Sequence, residues 1–206
     1  MCTGKCAKFI GVSLYPLAVA AIICNILLFF PAWDTKYVQE DTEGSNRTIT
    51  EEVKYMGGLV GGGIMVLIPA IHIHATGKRG CCANRCGMFL SIAFAAVGVV
   101  GSLYCLVVSS LGLVNGPTCE YENSDKKLIW GTPFKTNQKF GNESYLFDKN
   151  LWSECIKPKD VVEFNVILFS ILLVLGVLET LLCAFQMING LFGCLCGTCG
   201  KKGQQA

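Results

Sequence analysis

The stretch Gly176-Val-Leu-Glu-Thr-Leu-Leu-Cys183 holds the residue whose reading decides the fold. Glu179 is the only charged side chain between Glu163 and Lys201. From Val166 to Phe185 the chain carries fourteen Val, Ile, Leu and Phe residues. At about 0.4 kcal/mol each, they favour transfer of the segment into a bilayer by about 6 kcal/mol. A charged residue at the centre of such a helix costs about 3 kcal/mol. The segment therefore spans a membrane in spite of its acid.

Three more blocks have the same character. The 206-residue chain is 52% hydrophobic and 16% charged, where soluble domains carry about 25% charged residues. Its charges are missing from blocks that reach the ~20 apolar residues needed to cross a bilayer core as helix. Lipid leaves helix as the open-ended choice, because backbone groups must bond within their own segment. A soluble bundle would need polar helix faces, and none of the blocks has one. The reading is an all-α membrane protein, a four-transmembrane-helix bundle with spans at 9–33, 55–76, 88–116 and 164–193. Between and around them lie an N-terminal segment (1–8), loops at 34–54, 77–87 and 117–163, and a tail (194–206). Ala18-Val19-Ala20 mimics a signal-peptide cleavage site, but the first apolar run exceeds the usual ~7–15-residue core of such peptides.

Basic residues set the orientation. Lys5, Lys8, Lys78, Arg79, Arg85, Lys201 and Lys202 stand in the N-terminus, the 77–87 loop and the tail, and no acidic residue accompanies them. These segments are read as cytosolic, so both termini are inside and the 34–54 and 117–163 loops outside. The glycan acceptors Asn46 (Asn-Arg-Thr) and Asn142 (Asn-Glu-Ser) both fall in the outward loops, where acceptor triplets can be used.

The thirteen cysteines divide by environment. Cys119 and Cys155 alone lie outside, so one disulfide follows in an oxidising compartment. It ties a compact loop domain whose small core is expected to comprise Leu128, Ile129, Trp130, Phe134, Phe140, Tyr145, Leu146, Phe147, Leu151 and Trp152, with little regular structure. Cys2, Cys6, Cys81, Cys82, Cys86, Cys194, Cys196 and Cys199 sit at the inner boundary beside basic residues, and are candidates for S-palmitoylation. Zinc is the rival, since Cys196-Gly-Thr-Cys199 has a metal-ligand spacing. The acylation reading is preferred and no metal is assigned. Cys24, Cys105 and Cys183 read as small packing residues within helices.

Helix 2 opens with Gly57, Gly58, Gly61, Gly62 and Gly63, and helix 3 offers Gly98 and Gly101. Small residues four apart let helix backbones approach closely in lipid, here for internal packing, with self-association as the other option. Pro16 and Pro69 should bend their helices. A buried carboxyl must find a partner or take up a proton. Cys183 and Gln186 share its helix face, and His72 or His74 reaches similar depth, though two residues ~200° apart cannot both face it; Asn25 lies nearer the outer surface. The expectation is a polar pin that fixes helix register, formed from Glu179, Gln186, His72, His74 and Asn25. On that reading Glu179→Leu impairs folding or delivery.

Met1-Cys-Thr-Gly-Lys-Cys-Ala7, the Gly-Gly-Gly of helix 2, Asn115-Gly-Pro-Thr-Cys119, Leu151-Trp-Ser-Glu-Cys155 and Leu168-Phe-Ser-Ile-Leu-Leu173 resemble the transmembrane 4 L6 family, a tetraspanin-like group. The resemblance runs from end to end. It implies a palmitoylated plasma-membrane glycoprotein that associates with integrins or tetraspanins in adhesion, migration and growth control. True tetraspanins carry Cys-Cys-Gly in the large outer loop, and claudins a cysteine pair in the first; this chain has neither arrangement. The expected function is therefore a non-enzymatic membrane organiser whose partners are the bilayer and other membrane proteins, without cofactor or nucleic acid. A small transporter or channel using Glu179 is the alternative, but it would need more polar groups along a path.

Overall fold

Four apolar segments in one chain can bury their small residues only against each other, and the fold follows from that constraint. The structure, a computed structural model, describes residues 3–31, 49–76, 85–122, 126–135 and 144–196. Gly4–Leu28, Glu51–Ala75, Phe89–Asn115 and Val161–Cys194 are each long and apolar enough to cross a membrane.

The first span is helix α1 (Thr3–Leu28), which runs unbroken through Pro16. The second is composite: a single turn α2 (Glu51–Lys54), a π-helical segment (Gly57–Ile64), and α3 (Met65–Thr76), which contains Pro69. The third is α4 (Arg85–Asn115) and the fourth α5 (Val161–Cys196). Contacts run α1 to α3, α3 to α4, α4 to α5 and α5 back to α1. The ring is closed, with α1 and α4 on one diagonal and the second span and α5 on the other. Outward positions are apolar on every span, with Phe9, Ile68, Val107 and Phe185 among the exposed side chains.

The interior has two apolar clusters. One, toward the disulfide end, joins Leu28, Val53, Cys105, Phe169, Leu172 and Leu175. The other joins Ile10, Leu14, Val66, Ile73, Ala95 and Cys183. Along α5, Glu179 stands between them.

At the disulfide end, Gly116 closes α4 in a left-handed conformation (φ 73°) and donates its N–H to Gly112 O at 3.2 Å, the usual glycine stop of a helix. Pro117 follows. The chain then forms an antiparallel hairpin of β1 (Cys119–Glu122) and β2 (Leu128–Gly131), with Cys119 opposite Gly131. Glu120 also pairs with the segment before α5: its N–H donates to Lys157 O and its carbonyl accepts from Ile156 N–H, both at 2.8 Å. The disulfide joins Cys119 to Cys155. Tyr145 stacks on Phe134 with ring centroids 4.3 Å apart, and the Trp152 indole donates to Tyr145 O at 2.8 Å.

This cap differs from the sequence expectation in two ways. It has a paired hairpin where little regular structure is expected. Its core comprises Cys119, Phe134, Tyr145 and Cys155 packed on Val161 and Val162, while Leu128, Ile129 and Phe147 are exposed. The cap borrows its apolar partners from the first turn of α5, so it needs fewer of its own. Phe140 lies outside the described residues.

Candidate functional site

Five of the eight residues from Gly57 to Ile64 are glycine. Glycine carries little steric penalty outside the α region, and here the helix widens to a π turn, a rare form that is frequent at functional sites. The preceding residue, Met56, is left-handed (φ 50°). The absence of side chains brings the neighbouring helices in. A Cβ on Gly61 would stand 2.6 Å from Gly101 O of α4, and one on Gly58 would stand 2.8 Å from Ala21 O of α1.

Gly62 faces the carboxyl of Glu179. A Cβ there would lie 3.0 Å from Glu179 Oε2, 3.2 Å from Ala21 Cβ and 3.2 Å from Cys105 Sγ. Glu179 is thus at a level where all four spans converge, and it is fully buried. Neither of its oxygens has a hydrogen-bond partner among the described residues. One turn further along α5, Cys183 Sγ packs 2.7 Å from the point where Gly98 would carry a Cβ.

The other polar residues expected at the pin do not gather on Glu179. Asn25 is buried and its Oδ1 accepts the Leu59 N–H at 2.8 Å, capping the π segment from α1. Gln186 Nε2 donates to Ser91 Oγ at 3.2 Å, and Asn189 Nδ2 donates to Gln186 Oε1 at 3.2 Å. His74 Nδ1 lies 3.3 Å from the Tyr15 hydroxyl, while His72 stacks on Phe94 with centroids 4.3 Å apart. Asn25 and His74 tie the first span to the second, His72 the second to the third, and Gln186 the third to the fourth, so the polar interior is a ladder of separate rungs. The structure fixes Glu179 by packing rather than by hydrogen bonds.

Sequence reasoning missed several rungs. Thr180 Oγ1 lies 2.7 Å from Gly176 O and 2.8 Å from Ser102 Oγ, tying α5 to α4. Near the cap, Asn115 Nδ2 donates to Glu52 Oε1 at 2.5 Å. Thr50 Oγ1 accepts from Thr118 N at 3.3 Å and from Asn165 Nδ2 at 3.5 Å. The Tyr145 hydroxyl donates to Leu113 O, joining cap to bundle. Burial, then the nearby Glu52 carboxylate, pushes the Tyr145 phenol above its ordinary pKa. A hydroxyl residue inside an apolar run is a weak signal for such a contact, and Thr180 carried it.

Of the lipidation candidates, Cys6 is exposed in the first turns of α1 and Cys194 is half-buried near the end of α5. Cys86 and Cys196 fall in the end turns of α4 and α5. All four stand at the end of the bundle away from the disulfide. Cys2, Cys81, Cys82 and Cys199 lie outside the described residues, as do Asn46 and Asn142. Among the described residues no group of three His, Cys, Asp or Glu side chains is arranged to hold a metal.

The sequence profile described as L6 membrane protein matches residues 1–200. Transmembrane 4 L6 family member 1 of Mus musculus is 41% identical, covering 100% of this chain and 98% of its own length. Member 4 of Rattus norvegicus is 44% identical over 97% of this chain and 94% of its own. Member 5 of Bos taurus is 42% identical over 98% and 97%. No solved structure matches. A four-span bundle capped by a disulfide-tied hairpin, together with these end-to-end similarities, shows that the chain belongs to the transmembrane 4 L6 family.

Proposed function

We propose that this membrane protein is a non-enzymatic organiser of the plasma membrane, which associates laterally with adhesion receptors and tetraspanin-like proteins to modulate adhesion, migration or growth signalling. In this reading both termini are cytosolic, the capped end is extracellular and carries glycans on Asn46 and Asn142, and the opposite rim is acylated on its cysteines. Acylation there adds about 0.8 kcal/mol of membrane affinity per buried methylene, and it would concentrate the protein with other acylated proteins.

The observation that carries the reading is the setting of Glu179. A transporter or relay passes its cargo between groups within hydrogen-bond reach. Glu179 has no such neighbour among the described residues and is walled by Ala21, Gly62 and Cys105. The polar rungs brace the bundle as a scaffold, and the outward faces are left to lipid and lateral partners.

The test is affinity purification of the full chain in mild detergent, with identification of bound membrane proteins, beside a variant lacking the eight rim cysteines. Adhesion receptors or tetraspanins that copurify with the wild type and are lost from the variant support the proposal. Ion or solute flux in purified proteoliposomes, abolished by Glu179→Gln, would replace it with the transporter reading.

A further inference from the structure

A small cavity lies where the spans meet the cap. Leu28 ends the first span, Ile49 and Thr50 precede the second, and Val161, Phe164 and Asn165 begin the fourth; all six line it. Its free volume of about 20 Å³ admits one water-sized group. Most of the rest of its wall is cap, Trp130 included, so the cavity sits at the boundary where the spans end and the cap begins, the level of lipid headgroups for a chain that crosses a bilayer.

Its polar groups are unfinished. Asn165 is 4% exposed, and its Oδ1 has no hydrogen-bond partner among the described residues. Its Nδ2 is spent on Thr50 Oγ1, which also accepts from Thr118 N. With Thr50 Oγ1 accepting two bonds, its own proton must point elsewhere. The pair therefore offers one acceptor and one donor side by side. A hydroxyl group, which donates once and accepts, complements both. No Lys, Arg, Asp or Glu is among the described residues that line the cavity, so a phosphate or an amine would enter without a counter-charge. Phe29 and Phe164 are partly buried hydrophobics packed on the adjoining cluster, and they supply apolar surface for whatever carries the hydroxyl.

We propose that the cavity beside Asn165 and Thr50 is a binding site for the hydroxyl head of a neutral membrane lipid, whose apolar body lies outside it against the bundle. Sterols and ceramides share this chemistry. The site is independent of the organiser function proposed above.

The test uses the full-length protein in phosphatidylcholine nanodiscs. Three diazirine-bearing lipids serve as probes: a sterol with a free hydroxyl, a ceramide, and a phosphatidylcholine. Photolysis followed by peptide mapping should find adducts of the sterol or the ceramide on peptides containing Leu28, Ile49 or Val161, and an excess of the same unlabelled lipid should remove them. Which of the two labels identifies the source. Asn165→Leu, which removes the acceptor, should lower labelling about fivefold, the equivalent of one net hydrogen bond. Val161→Phe, which fills the cavity from another wall, should do the same, so the test does not depend on one variant folding. Equal labelling of these peptides by phosphatidylcholine would overturn the proposal. So would labelling by a hydroxyl lipid that both folded variants leave unchanged. Background labelling by both hydroxyl lipids would also overturn it, leaving a water as the occupant.

Discussion

Replacing Gly61 with alanine tests whether the glycines of the π segment set the spacing of the bundle. A Cβ there would meet Gly101 O at 2.6 Å, Tyr104 Cδ1 at 2.9 Å and Cys105 N at 3.1 Å. Two of the three are backbone atoms of α4, which cannot rotate away. A carbon–oxygen contact is comfortable at about 3.3–3.6 Å, so the helices must part by about 0.7–1 Å. A gap of that size forfeits a quarter to a half of the dispersion energy of the contacts it opens. Overpacking of this kind costs about 1–3 kcal/mol, against which the better helix propensity of alanine returns up to about 1 kcal/mol. The net expectation is a loss of about 1–2 kcal/mol, or a fall in melting temperature of about 2–8 °C for a chain of this length. The buried thiols of Cys24, Cys105 and Cys183 provide the readout. After exposed thiols are blocked in detergent, a thiol-reactive dye reports unfolding as the temperature rises. Gly4→Ala is the control, since nothing lies within 4 Å of a Cβ at that position. If Gly61→Ala melts within about 1 °C of both wild type and Gly4→Ala, the close approach of α4 is not what holds the bundle.

Glu179→Met removes an unpartnered buried carboxyl at nearly constant volume, and should raise stability by about 1–3 kcal/mol; a lower melting temperature in the same thiol assay would mean that the carboxyl has a partner after all. This expectation departs from the pin reading, in which the acid is worth keeping for its bonds. Tyr145→Phe deletes the hydroxyl bond to Leu113 O and should cost about 1 kcal/mol at neutral pH. Because the folded phenol titrates above its unfolded value, wild-type stability is complete below about pH 10 and falls as pH rises beyond it. Tyr145→Phe should lack that alkaline loss, and parallel curves for the two proteins would refute the assignment. Cys119→Ser with Cys155→Ser opens the tie across the cap and should cost about 2–5 kcal/mol. The cap should then be cleaved by added protease much faster than in wild type, with the spans still protected by detergent or lipid; unchanged cleavage would place the cap's stability in its packing alone.

Much of the fold was legible because a bilayer simplifies the code. Runs of apolar residues without charge have one structural outcome in hydrocarbon, so four spans could be read from composition and length. The Cys119–Cys155 pairing followed from the same topology, since two thiols on one side allow one bond. The burial of Glu179 was visible as well, because an acid among fourteen aliphatic and aromatic residues has few ways to be exposed, but the pin of Gln186, His72, His74 and Asn25 expected around it was not what formed. The cap was less legible. Its hairpin is short, and its core is completed by Val161 and Val162, which a linear reading assigns to the span boundary.

What the sequence determined by itself is therefore everything that depends on transfer from water to lipid: the number of spans, their approximate positions and the lone acid among them. Transfer energy is a sum over residues, and a sum can be read in order along the chain. The tertiary structure alone decided who faces whom. It widened the Gly57–Ile64 turn, set Gly62 against Glu179, gave Asn25 to Leu59 and His74 to Tyr15, and left Asn165 facing a cavity. Those choices depend on helix rotation and interhelical distance. Both are set by many close contacts at once, and no single segment of sequence encodes them.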